Sequence, residues 1–146
     1  MPTATLIGGC NGAGKTTFAS EYVPLVAPEA IFLNADEIQR MGGPQMSPMT
    51  AGRDLLARLS RTIEDQRDFV LESTLSSVSY ARSFPTWKAA GYLIVLHFIE
   101  LTSPEMAISR VAKRVSEGGH NIPEIDIRRR FARGKANFEA HYKEAH

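Results

Sequence analysis

The stretch Gly8–Thr17, GGCNGAGKTT, packs small residues, one lysine and two hydroxyls into a single short loop. Its centre, Gly9-Cys10-Asn11-Gly12-Ala13-Gly14-Lys15-Thr16, fits G-x-x-x-x-G-K-[ST] at every required position. Small side chains let successive backbone N–H groups turn inward around phosphate oxygens, and a helix starting there adds the positive end of its dipole. In such a loop Lys15 neutralises the β- and γ-phosphates and the Thr16 hydroxyl ligates Mg²⁺. Thr17 opens the same helix and belongs to the same binding segment. The expected ligands are ATP and Mg²⁺.

Such a loop works only between a strand and a helix, and the chain supplies both. TATLIGG is a short apolar run breaking into glycine, a buried strand feeding a turn. KTTFASEYV has helical character and is expected to stop at Pro24. AIFLNADE reads as a second strand, DFVLEST as a third and YLIVLHFIEL as a fourth. Between the second and third, TAGRDLLARLSRTIEDQR puts Leu55, Leu56, Leu59 and Ile63 on one helical face. SVSYARSFPTWKAAG is expected to be a helix kinked or interrupted at Pro85. TSPEMAISRVAKRVSEGG starts with Ser103 as cap and Pro104 in the first turn, and buries Ile108, Val111, Ala112 and Val115. A last helix carries Ile127, Phe131, Phe138 and Tyr142 at helical spacing.

Strands alternating with helices imply parallel pairing and a three-layer α/β fold with a mostly parallel sheet, of the phosphate-loop kinase type. Ligands then bind at the carboxyl ends of the strands. Three such ends are polar: Gly9–Thr17, Asn34–Asp36 and Glu72–Thr74. The 146 residues suffice for one domain, 1–146, with a basic lid-like region around 107–135. That region holds eight Lys and Arg against three acids, while residues 1–106 hold eight against eleven. It is either a solvated helix face or a surface for a polyanion. A single cysteine, the absence of a signal-peptide pattern and the lack of about 18 consecutive apolar residues predict a cytoplasmic protein without a membrane span.

A phosphate loop alone does not name a reaction. No N-K-x-D base-reading element of GTPases is present, and the chain is short for transporter ATPases or helicases. A kinase acting on a small molecule is the simplest remaining reading.

GGCNGAGKTTFA, FLNADEI, FVLESTLSS and RVAKRVSEGGHNIPEIDIRRRF, in that order, resemble the zeta toxin family of phosphate-loop kinases, particularly its compact stand-alone bacterial members. The resemblance implies transfer of the γ-phosphate of ATP to a sugar hydroxyl, in better-known members that of UDP-N-acetylglucosamine, and an antitoxin partner. It implies Asp36 as the base taking the acceptor's proton, unless Asp36 caps the helix that follows. Glu72 and Thr74 match acceptor-binding residues, the alternative being support of magnesium or ordinary loop polarity. Arg114 matches a phosphate-contacting arginine, with Arg110 one turn earlier as a second candidate. A further lid arginine falls among His120, Arg128, Arg129 and Arg130, with Arg128 favoured. Arg40 and Arg53 are placed to reach an anionic acceptor.

Two departures from the family stand out. The final strand bordering the adenine site is expected to be absent, leaving an open sheet edge at which copies of the chain could associate. Cys10 stands where the family more often has proline; a thiol near a helix N-terminus can be acidified, the plainer reading being a small loop residue with no redox role. Two other readings compete. A polynucleotide 5′-kinase would use the basic segment, but the arginines lack interleaved aromatics, which makes nucleic acid an unlikely partner. A non-catalytic ATP-binding module would serve only to bind a protein.

Overall fold

A computed structural model describes residues 1–143. Four strands, β1 (Thr3–Gly8), β2 (Ile31–Leu33), β3 (Phe69–Ser73) and β4 (Leu93–Phe98), form one sheet in the order β2-β3-β1-β4. All pairings are parallel. Parallel strands need crossovers, and six helices supply the layers: α1 (Lys15–Val26), α2 (Ala35–Met41), α3 (Pro48–Glu64), α4 (Ser79–Ala89), α5 (Pro104–Ser116) and α6 (Glu124–Asn137). The expected α/β architecture is the one observed. Among the described residues no strand follows β4, and no helix is long and apolar enough to cross a membrane.

The central strands are mostly apolar because both faces are covered, with Thr5 of β1 and Glu72 of β3 as buried polar residues. Alternation along β1 and β3 sends Leu6 and Leu71 one way and Ile7 and Val70 the other. Ile7 and Val70 meet α1 through Ala19 and the partly buried Phe18 and Val23. Leu6 and Leu71 belong to the larger core, with Leu55 and Leu59 of α3, Phe84 and Trp87 of α4, and Tyr142. A third cluster joins the phosphate loop to the helices above it: Cys10 and Ala13 pack with Ala107, Val111 and Ile127.

Several local expectations change. Neither proline stops its helix: α1 continues to Val26 past Pro24, and α4 runs unbroken through Pro85. Both prolines are exposed, so the carbonyl each leaves unpaired about one turn earlier lies on the solvent side. Leu56 is 56% exposed, because the buried stripe of α3 runs through Ala51, Leu55, Leu59 and Thr62. On α5 the buried positions are Ala107 and Val111, with Ile108 partly buried, while Ala112 and Val115 face outward. Ser103 does cap that helix, its hydroxyl accepting from Met106 N at 3.3 Å.

The last helix widens into one π-helical turn over Phe138–Tyr142. This turn changes which core the helix serves. Ile127 and Phe131 pack with the phosphate-loop cluster, whereas Phe138 and Tyr142 reach the main core. Phe138 stacks on Phe98 with centroids 4.3 Å apart and planes 9° from parallel, a geometry that contributes about 1 kcal/mol beyond burial. The fully buried Tyr142 donates its hydroxyl to Ser77 O at 2.6 Å.

On the opposite face, His97 of β4 lies against Phe18 (5.1 Å) and Tyr22 (4.9 Å) of α1. Its Nε2 is buried with no hydrogen-bond partner among the described residues, and burial lowers its pKa. Below the ordinary histidine value, about 6.5, the unfolded chain binds a proton that the folded chain resists. Stability is therefore lost as pH falls from that value through the lowered one. Thermal unfolding of wild type should show a midpoint that drops between about pH 7.5 and about pH 5.5, with a smaller drop in His97→Phe. Parallel pH curves for the two proteins would refute this assignment.

Candidate active site

Strand register sets the site. Gly8 pairs with Ser73 and Leu33 with Leu71, so the phosphate loop, Asn34 and Glu72–Thr74 emerge at one edge of the sheet. The loop from Gly9 to Gly14 turns back on itself, with Ala13 N donating to Cys10 O at 3.1 Å. All three of its glycines are required by geometry, Gly9 because a Cβ there would lie 2.6 Å from Ile99 O. Gly14 sits at φ 99°, the left-handed conformation from which α1 departs. Gly12 has φ 79°, and a Cβ there would lie 2.8 Å from the Ala107 carbonyl oxygen of α5. Among the described residues no side chain caps α1, which leaves its N-terminal end to a ligand.

Lys15 folds across this loop and donates Nζ to Cys10 O at 2.9 Å. Burial lowers its pKa, opposed by the carboxylates of Glu72 and Asp36 and reinforced by Arg114. An added anion in the cavity would hold the ammonium charged.

Glu72 is 92% buried in effect, with only 8% of its surface exposed, yet it carries a carboxylate. It accepts the Thr16 hydroxyl at 3.1 Å and the Asn34 Nδ2 at 2.7 Å. The other end of that amide is also used: Asn34 Oδ1 accepts from Asp36 N at 2.8 Å and Glu37 N at 3.2 Å, capping α2. The pattern of two N–H donors on one side and a carboxylate on the other assigns oxygen and nitrogen unambiguously. Asn34 is therefore the cap, and the side chain of Asp36, free of that duty, is exposed and takes no hydrogen bond among the described residues.

A cavity of about 300 Å³ opens between these groups, lined by Asn11, Lys15, Thr16, Asp36, Glu72, Thr74, Arg114 and Arg130 among others. A second, of about 770 Å³, shares Thr16, Asn34, Asp36 and Arg114 and runs on past Arg40, Met46 and His120. Asp36 stands where the two meet. Thr74 reaches the first cavity, its hydroxyl paired with Ser76 Oγ at 2.8 Å. Arg110 lies closer to the loop than to either cavity, donating Nη1 to Gly12 O at 3.2 Å.

Not every expected residue arrives. Arg53 is exposed on α3 and lines neither cavity, and Thr17 is exposed on α1 outside both. Arg128 points away: its guanidinium bridges Glu105 at 2.9 Å and Glu124 at 3.0 Å on the outside of the α5–α6 pair. Arg129 pairs with Asp126 at 3.1 Å. Arg130 lines the cavity instead, donating Nη1 to Asn11 Oδ1 at 3.0 Å. The signal was present in the spacing: Arg130 and Phe131 lie one turn after the buried Ile127, whereas Arg128 and Arg129 fall on the outer face. Asn34 also had a signal, an Asn-x-x-Glu cap pattern opening α2.

Cys10 differs as well. Its side chain is buried with Ala13, Leu101 and Val111, and burial raises its pKa although Lys15 pulls the other way. Desolvation outweighs both the Lys15 charge and the backbone hydrogen bond, so the thiol is pushed up and not acidified. Iodoacetamide at neutral pH should label Cys10 slowly in the folded protein and rapidly once it unfolds; rapid labelling without unfolding would contradict this placement.

One close approach brings α6 against the end of β3. A Cβ on Gly134 would lie 2.5 Å from Thr74 O. Gly134→Ala should therefore lower stability, despite the gain of up to about 1 kcal/mol in helix propensity. The check is chemical denaturation, with unchanged or increased stability as the contrary result.

Comparison with known proteins follows the same outline. The family model described as Zeta toxin matches residues 1–145. An uncharacterized protein of Haemophilus influenzae is 31% identical over 126 residues, covering 84% of this chain and 88% of its own length. The solved structure of the Pnkp1/Rnl/Hen1 RNA repair complex superposes with TM-score 0.76 and 20% identity over 94% of this chain. A structure from the PezAT chromosomal toxin-antitoxin system of Streptococcus pneumoniae gives TM-score 0.71 and 21% identity over 95%. This chain spans 45% of the first of those structures and 64% of the second.

Proposed function

This chain belongs to the zeta toxin family and is a P-loop kinase, and from that premise we propose that it transfers the γ-phosphate of ATP to a hydroxyl of a small anionic acceptor, a sugar or nucleotide sugar such as UDP-N-acetylglucosamine. The observation that carries this reading is Asp36, an exposed carboxylate at the junction of two cavities, one of which also meets Lys15 and the phosphate loop.

In this reading the nucleotide's phosphates lie in the loop against Lys15 and the start of α1. The acceptor occupies the larger cavity, where Arg40 and His120 favour an anion and Met46 offers an apolar wall. Asp36 accepts the proton of the attacking hydroxyl as its oxygen bonds to the γ-phosphorus. The bond from that phosphorus to the bridging oxygen breaks, and the electron pair leaves with ADP. Lys15, Arg114 and Arg130 face the charge that develops on the transferring group.

Mg²⁺ fits the residues present. Among the described residues no cluster of three or more His, Cys, Asp or Glu could hold a metal alone. A magnesium ion commonly arrives with nucleotide phosphates and keeps much of its water. Thr16 would hold it, with Glu72 orienting the Thr16 hydroxyl; when bound, it neutralises phosphate charge. Glu72 thus serves the metal side of the site in preference to the acceptor. A protein partner that masks the nucleotide cleft, as an antitoxin would, is part of the same reading; the PezAT structure belongs to a toxin-antitoxin system.

The polynucleotide-kinase alternative draws less support. Three of the eight cations of the basic segment are paired, Arg128 and Arg129 with acids of α5 and α6 and Lys135 with Glu100 at 3.0 Å. Phe131, the aromatic among the arginines, packs against a core cluster and offers no stacking platform.

The test is incubation with ATP and Mg²⁺ against a panel of sugar, nucleotide-sugar and 5′-hydroxyl oligonucleotide acceptors, read by mass spectrometry. A phosphorylated nucleotide sugar is expected, absent with Lys15→Ala and reduced about 10²- to 10⁴-fold in kcat with Asp36→Asn, which should still bind ATP. Phosphorylation of the oligonucleotide alone would transfer the assignment to the alternative. ATP binding without a product that depends on Asp36 would remove the catalytic reading.

A further inference from the structure

The three arginines Arg128, Arg129 and Arg130 are alike in sequence and unlike in their surroundings. The first two are exposed and matched to carboxylates. Arg130 is half-buried, lines the smaller cavity, and has no carboxylate partner among the described residues. What holds it is neutral: the side-chain oxygen of Asn11, 3.0 Å from Nη1. A guanidinium has five N–H donors in a rigid fork, so one amide oxygen leaves most of them unused. The charge is oriented without being cancelled.

Asn11 itself is unusual for a phosphate-loop residue. Such loops act through backbone N–H groups, and small or featureless side chains suffice at the variable positions. Here the residue is 6% exposed and its amide reaches across to α6, 119 positions later. On the far side α6 is fixed by the Gly134 approach to Thr74 O and by the ion pair of Lys135 with Glu100. The guanidinium is therefore held from the loop while its helix is held from behind, before any phosphate is present.

We propose that Asn11 is a positioning residue: it presets the Arg130 guanidinium over the phosphate cradle, so that the loop that binds the nucleotide also places the lid charge that reads its terminal phosphate. This rests on the kinase reading for the identity of the nucleotide, but not on turnover. Carboxylate at position 11 would hold Arg130 more tightly and cancel its charge; alanine would release it. Asparagine alone of the three orients the fork and leaves it cationic.

The test is a double-mutant cycle with Asn11→Ala, Arg130→Ala and the double variant, titrating a fluorescent ATP analogue and its ADP counterpart. Wild type should prefer the triphosphate. Each single variant should lose about tenfold of that preference, and the double variant should lose little more than Arg130→Ala does. Arg130→Lys, which leaves the loop untouched and keeps the charge, should resemble Asn11→Ala, because an ammonium offers no planar fork for the Asn11 oxygen to orient. Asn11→Asp should retain the fold, measured by thermal unfolding, yet also lose triphosphate preference. Losses that add in the double variant would overturn the proposal, as would full preference in Arg130→Lys. If wild type binds neither nucleotide, the kinase reading and this inference both fall; if it binds both and the effects add, only this inference does.

Discussion

A buried carboxylate organises this molecule's working edge. Glu72 ends the strand next to the phosphate-loop strand, almost wholly out of water, where an unpaired charge would be costly. Its two partners come from different segments, Thr16 at the start of α1 and Asn34 at the start of α2. Satisfying one charge thus fastens the ends of three strands to one another, and Asn34 passes the constraint on through the α2 cap to the backbone of Asp36. The site is polar where it touches the ligand space and rigid for the same reason.

The lid side is built from different forces. The phosphate loop and α5 meet where Gly12 admits the Ala107 carbonyl, and small apolar residues seal the space between them. Above that seal the charges sort by partner. Arg128 and Arg129 on the outer face find carboxylates, Arg128 joining α6 to α5 through Glu105 and both pairing within α6, at surface positions where each pair stabilises by well under about 1 kcal/mol. Lys15, Arg114 and Arg130 remain on the cavity side. The net basicity of the segment overstates its reach; position on the helix decides which charges can meet a ligand.

Much of this could be read from residue types. The phosphate loop, the polar strand ends and the α/β alternation come from short patterns whose physics is local. What escaped depended on neighbours. Pro24 reads as a helix stop and Pro85 as a kink or interruption when their cost is weighed without knowing that solvent lies beside them. Leu56 was placed with the core because adjacent leucines blur a helical stripe. Arg128 was favoured over Arg130 by alignment to a motif, although periodicity from Ile127 separates the two. For Cys10 the acidified reading gives way to the plainer one, because a helix terminus is visible in sequence while the burial that raises the thiol's pKa is not. Asn34 stood out only as part of a polar strand end, and its amide joins the α2 cap to Glu72.

The π-helical turn at Phe138–Tyr142 has a meaning beyond packing. Upstream of it, one face of the last helix looks onto the phosphate loop; downstream, residues that a regular helix would have carried round to another side face the sheet's main core. The turn acts as a phase slip between two halves of one helix. Each half can answer to its own surroundings, the first to nucleotide chemistry and the second to the fold, without a change in one dictating the angular setting of the other.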